Sequence, residues 1–159
     1  MLNIVLTRID DRLIHGQVAT AWSKITKATK IIVVDDAVAQ DSFMQMVLKS
    51  AAPSSLKVEI YGVDDAVEIL NKDDDGEKIL VLVKAPMTVL SLVKAGIGIK
   101  ELNLGGMGAR QGRKQLYKNI SVSDEEREAF IELIRCGVNV FMQIVPDAKQ
   151  IALDKLLKK

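Results

Sequence analysis

Short runs of branched aliphatic residues alternate with stretches of helical period along the whole chain, and this alternation is the strongest constraint on its fold. The runs at 31–34 and 79–83 are apolar at every position, which is typical of central strands in a parallel sheet. Strands are predicted at 3–8, 31–34, 57–61, 79–83, 101–104, 119–122 and 138–145. Helices are predicted at about 16–25, 42–50, 65–70, 86–95, 124–135 and 148–157. The sequence therefore predicts an α/β fold of three layers, α/β/α, around a mostly parallel, twisted sheet of about six to seven strands.

Apolar spacing within the first two helices predicts the faces that pack on the sheet. In the first helix this face is formed by Val18, Ala21, Trp22 and Ile25. In the second helix it is formed by Phe43, Met46, Val47 and Ala51. Residues three and four positions apart share one side of a helix, so we expect both sets to be buried.

Polar residues, proline and glycine mark where helices begin and end. Ser123 and Glu126 have the spacing of a capping box, and Pro86 suits the first turn of a helix. Gly137 is the expected stop of the helix that follows Ser123. Three other helices are expected to be capped by Asp41 or Ser42, by Asp64, and by Asp147.

The composition is that of one ordinary globular domain, which we expect to span residues 1–159. Hydrophobic residues make up 48% of the chain and charged residues 27%, which is enough for a sizeable core under a polar surface. The 22 Lys and Arg side chains nearly balance the 21 Asp and Glu side chains. The resulting net charge of +1 gives no general attraction to nucleic acid or acidic lipid.

No segment of the sequence has the features of a secretion signal or a membrane span. The apolar start at 1–7 is too short for a signal-peptide core, and Arg8 stands where a cleavage site would need small residues. No apolar run approaches the ~18 residues of a membrane span. Cys136 is the single cysteine, which excludes an internal disulfide, and we expect it to be a small buried hydrophobe. These features predict a soluble, cytoplasmic protein.

The segment "RIDDRLIHGQ" at 8–17 contains His15, the one histidine of the chain. It follows the first predicted strand and precedes the first helix, at the edge of the sheet where α/β proteins collect functional groups. The unpaired N–H groups at a helix start favour an anion such as phosphate. Gly16 would let the backbone approach that anion, and Gly16 and Gln17 are the predicted phosphate-binding residues.

Charged neighbours indicate what His15 could do. Arg8 and Arg12 offer guanidinium groups that pair with phosphate oxygens and stay charged. Asp10 or Asp11 is expected to accept a hydrogen bond from one ring nitrogen of His15. The other nitrogen would then be free as a nucleophile toward a phosphoryl group. The combination predicts phosphohistidine chemistry.

Spacing alone leaves other interpretations open. His15 could be structural, or could belong to a non-catalytic, anion-binding regulatory α/β domain. The segment "GGMGAR" at 105–110 would suit a nucleotide-dependent enzyme, but the dinucleotide pattern G-x-G-x-x-G is not matched. One histidine beside aspartates gives too few soft ligands for a transition-metal site. The aspartates of "NKDDDGEK" at 71–78 lack calcium-loop spacing and are expected in a solvated turn, so no metal site is predicted.

Five segments together resemble a known family. They are "RIDDRLIHGQVATAW" at 8–22, "IIVVDDAVAQD" at 31–41, "AAP" at 51–53, "NLGGMGARQGRKQ" at 103–115 and "ISVSDEE" at 120–126. In this order and over nearly the whole chain, they resemble the IIB subunit of the mannose/fructose/sorbose family of the bacterial phosphotransferase system (PTS). The resemblance is specific, because the first segment is similar to the active-site signature of that family.

The resemblance implies a relay enzyme, a protein-phosphohistidine–sugar phosphotransferase. His15 would accept a phosphoryl group from the phosphohistidine of the IIA subunit and pass it to a hexose-type sugar at the membrane subunits IIC and IID. Arg12 matches the family's arginine that stabilises the transferred group, Asp10 matches its acidic position and Arg8 a further basic one. No cofactor is implied. The protein would be cytoplasmic and held at the inner face of the cell membrane through IIC and IID.

Several properties stay open at this point. The sugar, the phosphorylated ring nitrogen of His15 and the oligomeric state, including a homodimer, cannot be read from the residues. The protein could be a free subunit or part of a longer IIAB chain, although Met1 directly before the first strand favours a free subunit.

Two further segments are interpreted through the resemblance. Gly105 and Gly106, at the end of a predicted strand, are expected to form a wall of the His15 site. The basic stretch at 110–118 is expected to be a solvated or partner-facing surface, not a nucleic-acid site. A hypothesis places the docking face for IIA there, which charge reversal at Arg113 and Lys114 would test.

Overall fold

The computed structural model of the chain describes residues 1–158, apart from the side chain of Gln17. Its strands are β1 (Asn3–Asp10), β2 (Lys30–Val34), β3 (Lys57–Tyr61), β4 (Lys78–Val83), β5 (Glu101–Gly106), β6 (Lys114–Tyr117), β7 (Ile120–Val122), β8 (Asn139–Met142) and β9 (Ile151–Ala152). Its helices are α1 (Gly16–Thr26), α2 (Asp36–Ala39), α3 (Ser42–Ala51), α4 (Val63–Leu70), α5 (Pro86–Lys94), α6 (Asp124–Arg135) and α7 (Leu153–Leu157).

A sheet of seven strands in the order β3-β2-β4-β1-β5-β8-β9 forms the middle layer, and β6 pairs with β7 in a separate antiparallel ribbon. Every pairing in the large sheet is parallel except that of β9 with β8. Helices pack on both faces of this sheet. The predicted three-layer α/β/α fold with a mostly parallel sheet is therefore confirmed.

The strands β2 and β4 are apolar at nearly every position because both of their faces are buried. Ile31 and Val33 pack with Leu80 and Leu82 in one cluster, beneath α1, α2 and α3. The alternate residues of the same strands join a second cluster on the opposite face, with α4, α5, α6 and α7. Side chains of a strand alternate between faces, so a continuous apolar run supplies both clusters at once.

The strand order creates a crevice at the carboxyl end of the sheet. The connection after β1 leads through α1 to β2 on one side, whereas the connection after β5 leads to β8 on the other side. Because β1 and β5 are neighbours, the loops at their carboxyl ends diverge, and such a switch point is where open α/β sheets bind ligands. The segment that contains His15 follows β1 at this position.

Four predicted helix signals are confirmed. Asp41 caps α3 by accepting a hydrogen bond from a first-turn N–H, and Ser123 with Glu126 forms a complete capping box at α6. Pro86 lies in the first turn of α5. Gly137 follows α6 with a φ of 93°, a conformation that glycine adopts without strain.

The beginning of α4 differs from the prediction. Asp64 lies in the first turn, and the N-cap residue is Gly62. The carboxylate of Asp36, in α2, accepts a hydrogen bond from the N–H of Val63 at 2.8 Å. The short helix α2 is not among the predicted helices. The sequence prediction therefore also missed the cap that Asp36 of α2 provides to α4.

The C-terminal region also differs. β8 ends at Met142, and the expected helix with Asp147 as its cap is replaced by β9 and the short helix α7. The side-chain amide of Gln143 donates hydrogen bonds to the carbonyls of Pro146 (3.0 Å) and Ala148 (2.9 Å). These bonds close a turn that ends β8 early and leaves Asp147 outside any helix.

The buried face of α3 is not the predicted one. The predicted inner residues are all exposed: Phe43, Met46, Val47 and Ala51. Leu48 is buried instead, and Met44 packs beside it against the core. The helix therefore rests on a narrow face formed by residues four positions apart, and its wider apolar face points outward.

Two further burial predictions are wrong. Ile25 is 62% exposed, whereas Ala19 and Trp22 are buried, so the inner face of α1 is rotated relative to the predicted one. Cys136 is exposed because it is the C-cap residue of α6 and lies beyond the last buried position of the helix, Leu133.

Residues 71–76 of the acidic segment form the predicted exposed turn, whereas Glu77 and Lys78 are partly buried where the chain enters β4. The carboxylates of Asp74 and Asp75 accept hydrogen bonds from the N–H groups of Gly76 (2.9 Å) and Glu77 (3.0 Å). Both carboxylates thus stabilise the turn through hydrogen bonds to its own backbone.

Candidate functional site

The segment between β1 and α1 folds as a tight turn that begins at Asp10. The N–H of Leu13 donates to the carbonyl of Asp10 at 2.9 Å, and the N–H of Arg12 donates to the Asp10 carboxylate at 3.0 Å. Leu13 has a φ of 56°, which is strained for a residue with a side chain. Leu13 and the next residue, Ile14, are both buried, and this burial holds the strained backbone in place.

His15 is the N-cap residue of α1. No side chain caps this helix, and its first turn contains no acidic residue. The first backbone N–H groups of α1 therefore give the site a partial positive charge. Gly16, the next residue, is exposed, and a Cβ added there would meet no atom within 4 Å. The space beside His15 is thus open to an incoming group.

The imidazole of His15 lies against Arg12. The Nη1 atom of Arg12 is 3.2 Å from Nε2 of His15, and since a guanidinium only donates, Nε2 is the acceptor in this arrangement. Nδ1 of His15 is buried and has no hydrogen-bond partner among the described side chains. The Arg12 side chain is 61% exposed, so its charge can reach both the ring and an anion that approaches from solvent.

Arg8 lies in the interior and not at the surface beside His15. Its side chain donates to the Asn103 side chain and, at 2.8 Å each, to the carbonyls of Gln143 and Ile144. It also stacks over the ring of Trp22, 5.0 Å from the ring centre. Burial lowers the pKa of Arg8 to about 10, against the opposing effect of Asp10, so the side chain stays charged at neutral pH. Two arginines of one motif thus occupy different environments.

Neither aspartate of the motif forms the expected hydrogen bond with His15. Asp10 is 2% exposed and pairs with Arg8 (3.8 Å) and Arg12 (3.7 Å). Asp11 accepts hydrogen bonds from the N–H of Gly108 and from Arg113. Both carboxylates fix the loop that leads to His15, and neither contacts the imidazole.

The two glycines at the end of β5 make room for buried charges. A Cβ at Gly105 would lie 2.0 Å from Cζ of Arg8, and one at Gly106 would lie 2.9 Å from a carboxylate oxygen of Asp10. Both glycines line a cavity of about 370 Å³ together with Asp10 and Arg12. Gly105 and Gly106 therefore lie beside the loop that leads to His15, but His15 itself does not line this cavity.

The sequence analysis did not predict that Arg113 forms buried ion pairs with Asp11 and Glu126. The hypothesis that Arg113 belongs to an exposed docking face is wrong, because its side chain is 1% exposed and pairs with Asp11 and Glu126. Burial would lower the pKa of Arg113, but the hydrogen bonds to Glu126 and Asp11 raise it above its usual value. Lys114, the next residue, is exposed. The spacing of Ser123 and Glu126 was the one sequence signal for this ion pair, since a glutamate that caps a helix can also bind a buried cation.

No arrangement for a metal ion occurs within residues 1–158, where no three His, Cys, Asp or Glu side chains come together. In the same part of the chain, none of the helices combines the length and the apolar character needed to cross a membrane. The side chain of Gln17, a predicted phosphate-binding residue, lies outside the described part of the structure.

Comparisons with known proteins identify the family. The family model "PTS system sorbose subfamily IIB component" matches residues 4–159. The sorbose-specific EIIB component of Lacticaseibacillus casei is 42% identical, over 89% of this chain and 87% of that protein. The mannose-specific EIIAB component of Escherichia coli is 37% identical over 98% of this chain, which spans 49% of that longer protein.

A solved structure agrees with the sequence comparisons. The crystal structure of the IIBSor domain of the sorbose permease from Klebsiella pneumoniae superimposes with a TM-score of 0.94 at 37% identity, covering 98% of this chain and 96% of that one. PTS IIB components of this kind are sugar-specific phosphotransferases. From its sequence match and its fold, the chain belongs to the sorbose subfamily of PTS IIB components.

Proposed function

We propose that His15 is the phosphoryl carrier of this IIB component, loaded by a IIA partner and discharged to a sugar. The observation that carries the proposal is the position of the chain's one histidine. It is the N-cap residue of a helix whose start no side chain caps, and it lies beside an exposed arginine and an open surface. The mannose-specific relative, which is named as an EIIAB component, supports IIA as the donor.

Two successive displacements at phosphorus account for the relay. In the first, the lone pair of a neutral imidazole nitrogen of His15 attacks the phosphorus of a phosphohistidine on IIA. The new P–N bond forms as the donor's P–N bond breaks, and the donor imidazole keeps that electron pair. In the second, a sugar hydroxyl oxygen attacks, the P–N bond to His15 breaks, and the hydroxyl proton passes to the released imidazole or to solvent.

The residues around His15 would act by position and charge. In a loose phosphoryl transition state the negative charge lies on the equatorial oxygens. Arg12 and the first N–H groups of α1, including those of Gly16 and Gln17, would be the donors that bind these oxygens. Arg8 and Asp10 would support this arrangement from the interior. No cofactor or metal is required by this chemistry.

The partners and the location follow from the same proposal. The sugar acceptor would be bound by the membrane subunits IIC and IID, and contact with them would hold this cytoplasmic protein at the inner face of the membrane. Residues 1–159 would act as one IIB domain.

The proposal is tested by loading the protein from phosphoenolpyruvate through the two general PTS proteins and a IIA partner. We expect acid-labile, base-stable phosphate on the wild-type protein and none on His15→Ala. The exposed variant Lys24→Ala, in the same helix, is the control and should label normally. Equal labelling of wild type and His15→Ala, or of neither, would reject the proposal and favour a non-catalytic anion-binding domain.

A further inference from the structure

Arg113 connects three segments of the chain beneath the surface around His15. From Nη1 it donates to the carboxylate of Asp11 (3.0 Å) and to the carbonyl of Gly108 (2.9 Å). From Nε and Nη2 it donates to the two carboxylate oxygens of Glu126, at 2.9 and 2.7 Å. The planar guanidinium thus joins the loop after β1, the loop after β5 and the start of α6 in one rigid arrangement.

The His15 loop is held on both sides of Arg12. On the inner side, the carboxylate of Asp10 accepts the N–H of Arg12 at 3.0 Å. On the outer side, the carboxylate of Asp11 accepts the N–H of Gly108 at 2.7 Å and is paired with Arg113. The Arg12 side chain is mostly exposed, so apart from its 3.7 Å pairing with the Asp10 carboxylate, its direction depends on the backbone that these two aspartates fix.

The loop stores strain, which the burial of Leu13 and Ile14 and the contacts of the two aspartates oppose together. Leu13 adopts a left-handed backbone conformation, which is unfavourable for a leucine. If Asp11 were released, the turn at 10–13 could relax and move Arg12 away from His15. Glu126 prevents this release indirectly, because the capping box fixes its carboxylate and thereby the direction in which Arg113 points.

We propose that Arg113 is a positioning residue for phosphoryl transfer, acting through Asp11 to keep Arg12 beside His15. The inference rests on the proposed function of His15. Arg113 is too deeply buried to contact a transferred group itself. Its effect must therefore pass through Arg12, and this requirement makes the inference testable.

A double-mutant cycle tests the inference. In the wild-type background, Arg113→Met should lower the rate of phosphoryl transfer at saturating IIA by roughly tenfold or more, because misplacing a charge-stabilising group costs rate. The KM for IIA should change little. In the Arg12→Ala background, the same substitution should cost less than about twofold, because its target is already absent. An equal loss in both backgrounds, or no loss in either, would overturn the inference.

Two further variants separate positioning from general damage. Asp11→Ala removes the acceptor for Gly108 and Arg113 but leaves Arg113 and Glu126 paired, so it should reproduce the loss in rate with a smaller effect on folding. Arg135→Met is the matched control, because Arg135 is an exposed arginine of α6 that pairs with Glu132 and not with Glu126. It should leave the rate unchanged. A loss of rate in Arg135→Met, or a normal rate in Asp11→Ala, would contradict a role that passes through Asp11.

A spectroscopic measurement keeps this inference separate from the proposed function. The ¹⁵N resonances of the one imidazole report the contact between Nε2 and Arg12 without any phosphorylation. Arg113→Met should shift the Nε2 resonance toward its position in Arg12→Ala. If the shift occurs but wild type accepts no phosphate, the proposed function fails while the positioning contact stands. If wild type is phosphorylated and Arg113→Met alters neither rate nor resonance, Arg113 has no positioning role.

Discussion

Arg8 and Arg12 show how one short motif combines a buried charge with an exposed one. Arg8 is 1% exposed; its Nη1 and Nη2 atoms donate to side-chain and carbonyl oxygens from β5 and from the segment after β8, whereas its buried Nε has no hydrogen-bond partner in the described structure. Arg12 is 61% exposed and touches His15. A buried cation stabilises the fold only while its partners remain, whereas an exposed cation is free to act on a ligand.

Substitution of each arginine should therefore affect a different property. Arg8→Ala should lower the free energy of unfolding by about 3 to 5 kcal/mol, because it removes a buried cation beside Asp10 and leaves Asn103 and two backbone carbonyls without their donor. Arg12→Ala should change that free energy by no more than about 0.5 kcal/mol but slow phosphoryl transfer about a hundredfold. Chemical denaturation and single-turnover transfer from IIA measure the two effects. A reversal of the two patterns would contradict the assignment.

Gly105 should be intolerant of any side chain. The added Cβ of Gly105→Ala would fall 2.0 Å from Cζ of Arg8, so Arg8 or the strand must move. We expect a loss of roughly 1 to 3 kcal/mol in the free energy of unfolding. Gly98→Ala is the matched control, because its Cβ would meet only Met1 at an ordinary 3.7 Å. Equal stabilities of the two variants in denaturant would show that Arg8 does not occupy this space.

For single residues, the sequence could predict chemistry but not environment. The motif and the family resemblance predict that His15 and its charged neighbours form the functional site. The burial of Arg8 depends on Asn103, 95 positions along the chain, and that of Arg113 depends on Asp11, 102 positions away. Local spacing contains no information on such contacts. The sequence therefore predicts an exposed docking role for Arg113, whereas in the structure its buried side chain pairs with Asp11 and Glu126.

Among the helices, α6 has the most informative beginning, because its capping box also forms part of the network around the His15 loop. Burial would raise the pKa of the Glu126 carboxyl, but hydrogen bonds from Arg113 and Ser123 outweigh it, so its pKa is lowered in the folded protein. A carboxyl with a lowered pKa stabilises the fold fully above its unfolded pKa, near 4.5. That contribution is lost as the pH falls through the lower, folded pKa.

Glu126→Gln should therefore cost stability in a pH-dependent way. We expect a loss of about 3 kcal/mol near neutral pH, because Arg113 loses a buried partner. The gap to wild type should narrow as the pH falls below about 4.5. Urea unfolding at a series of pH values measures this gap, with Glu125→Gln, an exposed carboxyl of the same turn, as the control. A gap that stays constant down to acid pH would show that the Arg113–Glu126 pair does not stabilise the fold.

The orientation of α3 is a second property that depends on a whole element. Leu48→Ala should cost about 2 to 5 kcal/mol in the free energy of unfolding, because it opens a cavity in the core. Phe43→Ser should change stability by no more than about 0.5 kcal/mol, because Phe43 is 67% exposed. Denaturation of the two variants measures both values. If Phe43→Ser lowered the free energy of unfolding more than Leu48→Ala does, the buried face of α3 would be the one predicted from the apolar spacing.

Element types were more predictable than their faces and caps. The apolar runs of β2 and β4 and the capping box of α6 are local signals, and the structure agrees with them. The face of α3 was mispredicted because its apolar residues extend around more than one side of the helix, and spacing cannot choose between two apolar sides. The cap of α4 was missed because Asp36 reaches it from another segment.

The whole molecule brings these parts together at the switch point between β1 and β5. The alternation of strands and helices is enough to predict the layered fold and the edge of the sheet at which His15 lies. The strand order and the hydrogen bond between Arg113 and Asp11 depend on contacts between distant parts of the sequence, which no local pattern predicts. The resulting site has one histidine, one exposed arginine and a helix start, supported from beneath by a buried network.

A chase experiment tests the central claim, that His15 carries the phosphoryl group from IIA to a sugar. Protein labelled through IIA is isolated and mixed with membrane vesicles that contain IIC and IID, together with candidate sugars. The account predicts that label leaves the protein and appears, mole for mole, as sugar phosphate, and that His15→Ala supports no transfer. Sugar phosphate formed equally with His15→Ala, or label that stays on the protein with every sugar tested, would contradict it.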